Sequence, residues 1–429
     1  MPLTKTISLS GSTEPGEQSL LFHYSALAFR IGLALVTFEQ DRPFGIMLSD
    51  YCFFLSLVLI FPSLKGRLLK LKGSGVLLAG GLVLSGALLS LGRGSSLSDA
   101  MGPLLRLFIL YGLFAPLALI HSNDIRKNML YLVAGISLNC AITMLQAWAF
   151  PGILYALSIN PQPFDVSDNW RLPGLTEFPV TLGLSAALGV LLALGLLVVE
   201  RRNYVRWGLA FLAFICSVGA LLSGSRTFLA ALIPGLIVLV LLQKQRRRAI
   251  VHAVVALTVL GGLVNYFAPQ AISQYSDRLS DVGLLDNGRL VLAAQAVVDI
   301  SQKPILGWGI DHFGEAGSML LPDINDVQPA HVTLFQYWYG AGLLGAIGFL
   351  TLFGFPAWQM LRDLKKPPNK STNAVRLILA CYLAFFVIVN LGPYLYNRYL
   401  YIPMFVFAGY GVARQRNETY AGAVLQKAI

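Results

Sequence analysis

Apolar residues occur along this chain in about a dozen long runs, and polar residues collect in the short connections between them. Most runs contain roughly 17 to 25 residues, the length at which a helix crosses about 30 Å of hydrocarbon. The pattern therefore predicts an all-α polytopic membrane protein with about twelve transmembrane helices. We place these helices at residues 20–38, 43–62, 75–91, 101–120, 128–149, 175–199, 205–222, 226–242, 249–267, 332–355, 375–391 and 395–412.

Composition supports this fold class and excludes an ordinary soluble enzyme. Of the 429 residues, 56% are hydrophobic and 12% are charged, whereas soluble domains carry about a quarter charged residues. The four cysteines lie inside apolar runs without any short spacing between them, so they indicate buried packing residues and carry no information about compartment or metal. These are Cys52, Cys140, Cys216 and Cys381. Neither a cofactor nor a metal ion is predicted.

The excess of basic residues reports membrane topology. The chain has 32 Lys and Arg against 21 Asp and Glu, a formal charge of +11. Nearly all of the excess lies in one alternate set of connections, and short cytoplasmic loops carry such an excess. Both termini are therefore predicted to be cytoplasmic, and the charge indicates attraction to anionic membrane lipids and no nucleic-acid partner.

The same placement divides the chain into five regions. They are a polar cytoplasmic tail at 1–19, which lacks the features of a cleaved signal peptide, helices 1–9 at 20–267, a periplasmic loop at 268–331, helices 10–12 at 332–412, and a cytoplasmic tail at 413–429. The loop is far longer than usual connections, and such loops are usually functional or disordered. It contains a helical stretch from Leu290 to Ile300, a Lys303-Pro304 turn and the run Gly307-Trp308-Gly309, so we expect a small folded cap.

Four residues on the predicted periplasmic side are candidates for chemistry: Arg171, Arg226, Arg289 and His331. Each also has a structural interpretation. Arg171 could be an interfacial anchor, Arg226 a cation that reaches the membrane surface, Arg289 a salt-bridge partner and His331 an interfacial anchor. Taken together they favour phosphate chemistry, because guanidinium groups hold phosphate oxygens in bidentate fashion and a neutral imidazole accepts a proton near pH 7.

Other polar and aromatic residues leave alternatives open. Arg30, inside the first helix, could belong to an anion or lipid site or to a structural ion pair. Asp323 and Asp326 form a weak divalent-cation pattern. His23, His121, His252 and His312 favour structural roles. An aromatic collar of the predicted outer side could be an interfacial belt or a surface for sugar rings; it consists of Trp338, Tyr339, Tyr394, Tyr396, Tyr399 and Tyr401.

The order of these features resembles the O-antigen ligase and polymerase superfamily. The matching pieces are Arg171-Leu172-Pro173-Gly174, Gly224-Ser225-Arg226-Thr227, Gly288-Arg289, the run from Pro304 to Gly309, and His331 followed by the glycine-rich stretch from Gly340 to Gly345. They span roughly residues 170 to 350. Members of the superfamily often have Asn directly after the His, whereas this chain has Val332.

The resemblance implies a membrane glycosyltransferase with GT-C-like architecture in the bacterial inner membrane. The donor would be an undecaprenyl-pyrophosphate glycan and the acceptor a sugar hydroxyl of lipid A-core. Arg171, Arg226 and Arg289 would bind the pyrophosphate, and His331 would be the general base of a metal-independent, inverting transfer. The alternatives are an O-antigen polymerase, a protein O-oligosaccharyltransferase, or a transporter, which would be expected to show broken helices and a polar midplane.

Overall fold

A computed structural model describes most of the membrane region of the chain. The described residues are 15–39, 46–69, 71, 74–91, 97–150, 153, 172–200, 202–225, 227–241, 262, 265–266, 287–310, 330–365, 372–392 and 394–410. The C-terminal tail, the first fourteen residues and most of the predicted cap lie outside these ranges, as do Asp323 and Asp326.

Within the described residues every regular element is helical. The longer α-helices are α1 (Pro15–Leu35), α2 (Leu48–Ile60), α3 (Leu64–Leu69), α4 (Gly75–Leu89), α5 (Leu97–Leu107), α6 (Ala115–His121), α7 (Ile125–Trp148), α8 (Pro179–Val199), α9 (Asn203–Leu222), α10 (Thr227–Leu241), α11 (Asn287–Gln302), α12 (Thr333–Leu364), α13 (Thr372–Val389) and α14 (398–410). Short 3₁₀ turns at Phe61–Ser63 and Ser122–Asp124 and a π-helical segment at Phe108–Phe114 connect neighbouring α-helices.

These elements confirm an all-helical fold of the polytopic membrane type, and they change several predicted boundaries. Four stretches are long and apolar enough to cross a membrane, judged by length and composition: Ala100–Trp148, Pro179–Leu197, Asn203–Leu222 and Thr333–Leu364. Six further apolar helices are shorter. The tenth predicted span, 332–355, was too short, because α12 continues to Leu364. The sixth, 175–199, began too early, because α8 starts at Pro179.

Contacts between the helices show which helix ends lie together. Ser25 of α1 bonds Ser56 of α2, and Gly32 packs on Phe53, so α1 and α2 are antiparallel. The same argument makes α8 antiparallel to α9 and α4 antiparallel to α12. Helices α2, α8, α10, α12 and α14 therefore start at one end of the bundle. Helices α1, α4, α9 and α13 finish at that same end. We call it the His331 end, because His331 lies two residues before the start of α12.

Small residues let the helices of this bundle approach closely. A Cβ atom at position 86 would lie 2.4 Å from the Ala341 carbonyl oxygen, and one at position 348 would lie 2.9 Å from the Ala79 carbonyl oxygen. Close backbone approach through glycine is a common packing mode of membrane helices, where dispersion replaces the hydrophobic effect as the main driving force. Helix α14 runs through the centre, since Leu400, Tyr401 and Ile402 are each 0% exposed.

Candidate functional site

The structure places one of the four predicted site residues completely and a second in part. His331 is half-buried at the start of α12. Arg289 lies in the first turn of α11, where the helix is described and the side chain is not. Arg171 and Arg226 lie outside the described residues, each covalently next to a described one, Leu172 and Ser225. The geometry around these four positions is therefore given by their neighbours.

His331 is held by anchored residues on both sides. On one side, the Gln336 side chain donates a hydrogen bond of 2.6 Å to the Ala330 carbonyl oxygen. On the other, the Thr333 hydroxyl donates to the Gly392 carbonyl at 2.8 Å and accepts from the Tyr394 amide at 3.1 Å. Both Thr333 and Gln336 are buried. The backbone that carries the imidazole is thereby fixed to α12 and to the turn between α13 and α14, as a preorganised site requires.

Helix α12 is broken at Gly342, and backbone groups at the break form hydrogen bonds with a segment of the predicted cap. Gly342 has φ 63° and ψ −158°, a region that is essentially restricted to glycine. Groups freed by the break pair with the segment Ile305–Gly309. The Leu343 amide donates to the Ile305 carbonyl at 3.0 Å, and the Trp308 amide donates to the Tyr339 carbonyl at 2.7 Å. Irregular backbone is tolerated at membrane depth where its polar groups are satisfied within the protein.

The docked segment is also fixed to α11. The Trp308 indole donates to the Asp299 carbonyl at 3.0 Å, and the Lys303 ammonium lies 3.5 Å from the centre of the Trp308 ring. The Asp299 carboxylate accepts a 2.6 Å hydrogen bond from Gln295, while burial raises its pKa above the usual range. Helix α11, which begins two residues before Arg289, and the start of α12, which follows His331, are thus connected through one docked backbone segment.

The segment that follows Arg171 is irregular but well bonded. Residues Leu172 to Thr176 are buried, so their polar groups need partners within the protein. Gly174 has φ +58°, and a Cβ atom there would lie 2.5 Å from Asn139 Oδ1. That oxygen accepts the Leu175 amide at 2.8 Å, and the Leu175 carbonyl accepts the Glu39 amide at 2.8 Å. Asn139 and the end of α1 therefore fix this segment.

The turn that precedes Arg226 lies directly beside this segment. The Leu172 amide donates to the Leu222 carbonyl at 3.1 Å, which joins the residue after Arg171 to the last residue of α9. The turn itself has Gly224 at φ +58°. Its Ser225 packs on Gly183 of α8, where a Cβ atom would lie 2.7 Å from the serine Cβ. The described neighbours of Arg171 and Arg226 thus lie together at the His331 end.

We expect Asn139→Leu to destabilise this region, because it leaves the buried Leu175 amide without its acceptor and removes the bond from Asn139 Nδ2 to the Thr37 carbonyl. A buried donor left unsatisfied costs about 1–3 kcal/mol. The free energy of unfolding in detergent micelles, measured by circular dichroism, should fall by about that amount.

Thr143→Val is the matched control for this variant. Thr143 lies one turn further along α7 and also touches Gly174, but its hydroxyl donates only within its own helix, to the Asn139 carbonyl. Its replacement should leave stability close to wild type. Equal losses in the two variants would show that Asn139 does not fix the segment after Arg171.

The aromatic collar is a surface only in part, since Trp338 and Tyr396 are half-buried and the other four residues are buried. Tyr339, Tyr394, Tyr399 and Tyr401 are 2%, 7%, 1% and 0% exposed, so they belong to the bundle interior and present no free face to lipid or sugar. Two of the buried tyrosines lie between helices: the ring centre of Tyr401 is 6.1 Å from that of Tyr111 in an edge-on contact, and Tyr399 lies beside Thr181 of α8. Their largely apolar rings fill the centre of the bundle.

Geometry bears on two other open questions. Arg30 forms an ion pair of 3.0 Å with Asp124, at the end opposite His331, and also bonds Asn128, which favours the structural ion pair among its alternatives. The broken helix expected of a transporter is present in α12. Its break is occupied by the backbone of Ile305–Gly309, however, so it serves as a docking point for the segment before the predicted site.

Sequence reasoning missed the residues that position the site. Asn139 gave no signal, since a lone amide in an apolar run is common. The pair of Asp50 and Arg398 could have been noticed, because both charges fall inside predicted membrane helices, where ionisable residues are rare and usually functional. Gly342 was noted as part of a glycine-rich stretch, but the helix break was not predicted.

Comparison with known proteins adds a family match to this geometry. Residues 211–350 match the model of the family described as O-antigen ligase. This region contains Arg226, Arg289, His331 and the docked segment Ile305–Gly309. No curated protein matches the chain. The family match confirms, over these residues, the resemblance to the O-antigen ligase and polymerase superfamily that was drawn from the sequence.

Proposed function

We propose that this protein is an O-antigen ligase, which transfers a glycan from undecaprenyl pyrophosphate to a sugar hydroxyl of lipid A-core and so completes lipopolysaccharide. The superfamily match supports a transferase of the O-antigen pathway. The observation that carries the finer proposal is the docked segment Ile305–Gly309, which connects the helix of Arg289 to the helix that follows His331. The two helices next to the proposed cation and base are thereby connected through one backbone segment.

The proposed reaction is a displacement at the anomeric carbon. The acceptor hydroxyl oxygen forms the new bond to this carbon, the bond to the pyrophosphate oxygen breaks, and undecaprenyl pyrophosphate leaves with the electron pair. His331 accepts the hydroxyl proton as general base. Arg171, Arg226 and Arg289 bind the pyrophosphate and neutralise its developing charge. Attack opposite the leaving group inverts the anomeric centre, and the arginines take the place that a divalent metal has in other transferases.

The orientation of the bundle is part of the proposal. We place the His331 end in the periplasm and both termini in the cytoplasm of the bacterial inner membrane. Described basic residues support this placement, because Arg67, Arg126, Lys127 and Arg362 lie at the opposite end of the bundle, where the positive-inside rule expects the cytoplasm. A lipid-linked glycan and lipid A-core would then both reach the site from the outer leaflet.

Arg289→Lys tests the role given to the arginines. Lysine keeps the positive charge but lacks the planar fork that binds two phosphate oxygens at once. We expect the rate of transfer to fall at least about tenfold, since a hydrogen bond to a charged group contributes about 1.5–3 kcal/mol. Transfer is measured in membranes supplied with lipid-linked glycan. A rate equal to wild type would remove Arg289 from the pyrophosphate site.

Cells that lack the protein provide the test between ligase and polymerase. If the protein is the ligase, gels of their lipopolysaccharide show an intact core without long chains, while polymeric glycan accumulates on undecaprenyl pyrophosphate. If the protein is a polymerase, the core carries single repeat units and no polymer accumulates on the lipid carrier. Normal long chains on the core would contradict both assignments.

A further inference from the structure

A second charged pair lies at the His331 end, apart from the four residues of the proposed mechanism. Arg398, the first residue of α14, has its Nε 2.6 Å from Oδ1 of Asp50, near the start of α2. The two side chains are 16% and 4% exposed. Burial of an ion pair costs desolvation energy that is often not recovered, and ionisable residues inside membrane bundles usually serve function. We therefore expect the pair to have a function in addition to connecting α2 and α14.

The start of α14 lies between the two parts of the candidate site. Four residues before Arg398, the Tyr394 amide bonds Thr333, which holds the backbone after His331. One residue after Arg398, Tyr399 lies beside Thr181 in the first turn of α8. Two residues further along α8, Gly183 packs against Ser225, which is covalently bonded to Arg226. Short chains of contacts thus lead from Arg398 to His331 on one side and to Arg226 on the other.

The guanidinium retains donors that Asp50 does not use. Among the described residues, Asp50 is the one ion-pair partner of Arg398, and the contact is made through Nε. The two Nη groups carry the remaining four N–H donors of an arginine side chain. Asp50 therefore lies against the Nε edge of the guanidinium. The Arg398 side chain is partly exposed, and its helix starts at the His331 end.

We infer that Arg398 is a further phosphate-binding residue of this protein, with Asp50 as the residue that positions it. The inference rests on the proposed function, because it gives Arg398 a phosphate group of one of the two lipid substrates as ligand. That phosphate belongs either to the pyrophosphate of the donor or to a phosphorylated acceptor lipid. In both cases the Nη groups bind phosphate oxygens while Nε stays with Asp50.

Two variants test this inference. Arg398→Lys keeps the charge and a partner for Asp50 but loses the fork. The charge exchange of Asp50→Arg together with Arg398→Asp restores an ion pair between α2 and α14 while moving the cation to the other helix. Three quantities are measured on full-length protein in detergent: the dissociation constant of undecaprenyl pyrophosphate, the KM for lipid A-core, and the denaturant concentration of half-unfolding.

We expect Arg398→Lys to raise either the dissociation constant of undecaprenyl pyrophosphate or the KM for lipid A-core at least about tenfold. The denaturant concentration of half-unfolding should stay close to that of wild type. A higher dissociation constant would identify the donor pyrophosphate as the ligand of Arg398. A higher KM alone would identify a phosphate of the acceptor lipid as the ligand. If both quantities stay at wild-type values, the inference is overturned. The charge-exchange variant is expected to have stability close to wild type but weakened binding of the phosphate ligand. Wild-type binding in that variant would show that the pair is purely structural.

Arg30→Lys is the matched control, since Arg30 also pairs with an aspartate between helices and is 13% exposed, but lies at the opposite end. Its binding and KM values should equal those of wild type. Should the charge exchange fail to fold, Arg398→Lys decides alone. Binding of undecaprenyl pyrophosphate requires no transfer, so wild-type protein that binds the lipid but transfers no glycan contradicts the proposed function and leaves this inference standing.

Discussion

Replacement of His331 by alanine is expected to abolish glycan transfer while the protein remains folded and inserted. A general base contributes about 10²- to 10⁴-fold to a reaction rate, so the rate should fall at least about 100-fold. The fold should survive, because the backbone around position 331 is held by Gln336 and Thr333, whose hydrogen bonds do not involve the imidazole. Transfer of glycan to lipid A-core in isolated membranes measures the effect.

His23→Ala is the control for this experiment. His23 is exposed on α1 at the opposite end of the bundle, so its loss should leave the rate unchanged. The KM for the donor should also stay near wild type in His331→Ala, since the proton acceptor does not hold the pyrophosphate. Full activity of His331→Ala would exclude His331 as the base, and equal losses in both histidine variants would indicate a general effect on the membrane preparation.

The second large effect is expected from Gly342→Ala. A Cβ atom at this position would lie 2.2 Å from the Ile305 carbonyl oxygen, and the backbone conformation is one that other residues adopt at a cost of about 1–3 kcal/mol. The docked segment Ile305–Gly309 would have to move away from α12, and with it the helix of Arg289. Displacement of a binding group by about 1 Å can cost 10²-fold in rate. We therefore expect transfer to fall by about two orders of magnitude.

Gly354→Ala gives the matched control for Gly342→Ala. Gly354 lies on the same helix, and a Cβ atom there would meet nothing within 4 Å. Its rate should equal that of wild type. Protease accessibility of the Ile305–Gly309 segment provides an independent measure, because undocking should expose it in Gly342→Ala alone. A Gly342→Ala variant with wild-type rate and protection would contradict the role given to the break in α12.

The sequence was sufficient for the fold class because membrane helices are specified by local composition. Each apolar run must satisfy its own backbone in a helix, whatever its neighbours are. Helix ends were less predictable: α12 continues to Leu364 because its last turns carry Gln359 and Asp363 inward, where both are buried. A hydropathy profile treats such residues as polar, so the membrane span predicted from it ends too early.

For the candidate site, the sequence suggested a chemistry and no geometry. The arginines and the histidine were chosen from their residue types and their predicted side of the membrane, but the residues packed around their neighbours act through long-range contacts. Asn139 bonds Leu175 across 36 positions, and Arg398 meets Asp50 across most of the chain. The buried tyrosines of α14 show the same limit, because a tyrosine near a predicted membrane surface has the same pattern whether it faces lipid or the centre of a bundle.

The most direct test of the central claim uses purified protein in liposomes with undecaprenyl-pyrophosphate glycan, lipid A-core and a chelator of divalent cations. We predict that long-chain lipopolysaccharide forms, that undecaprenyl pyrophosphate is released in equal amount, and that the new linkage has the inverted anomeric configuration. The absence of product in chelator, with activity restored by magnesium, would contradict an arginine-bound pyrophosphate and a histidine base as the complete catalytic apparatus.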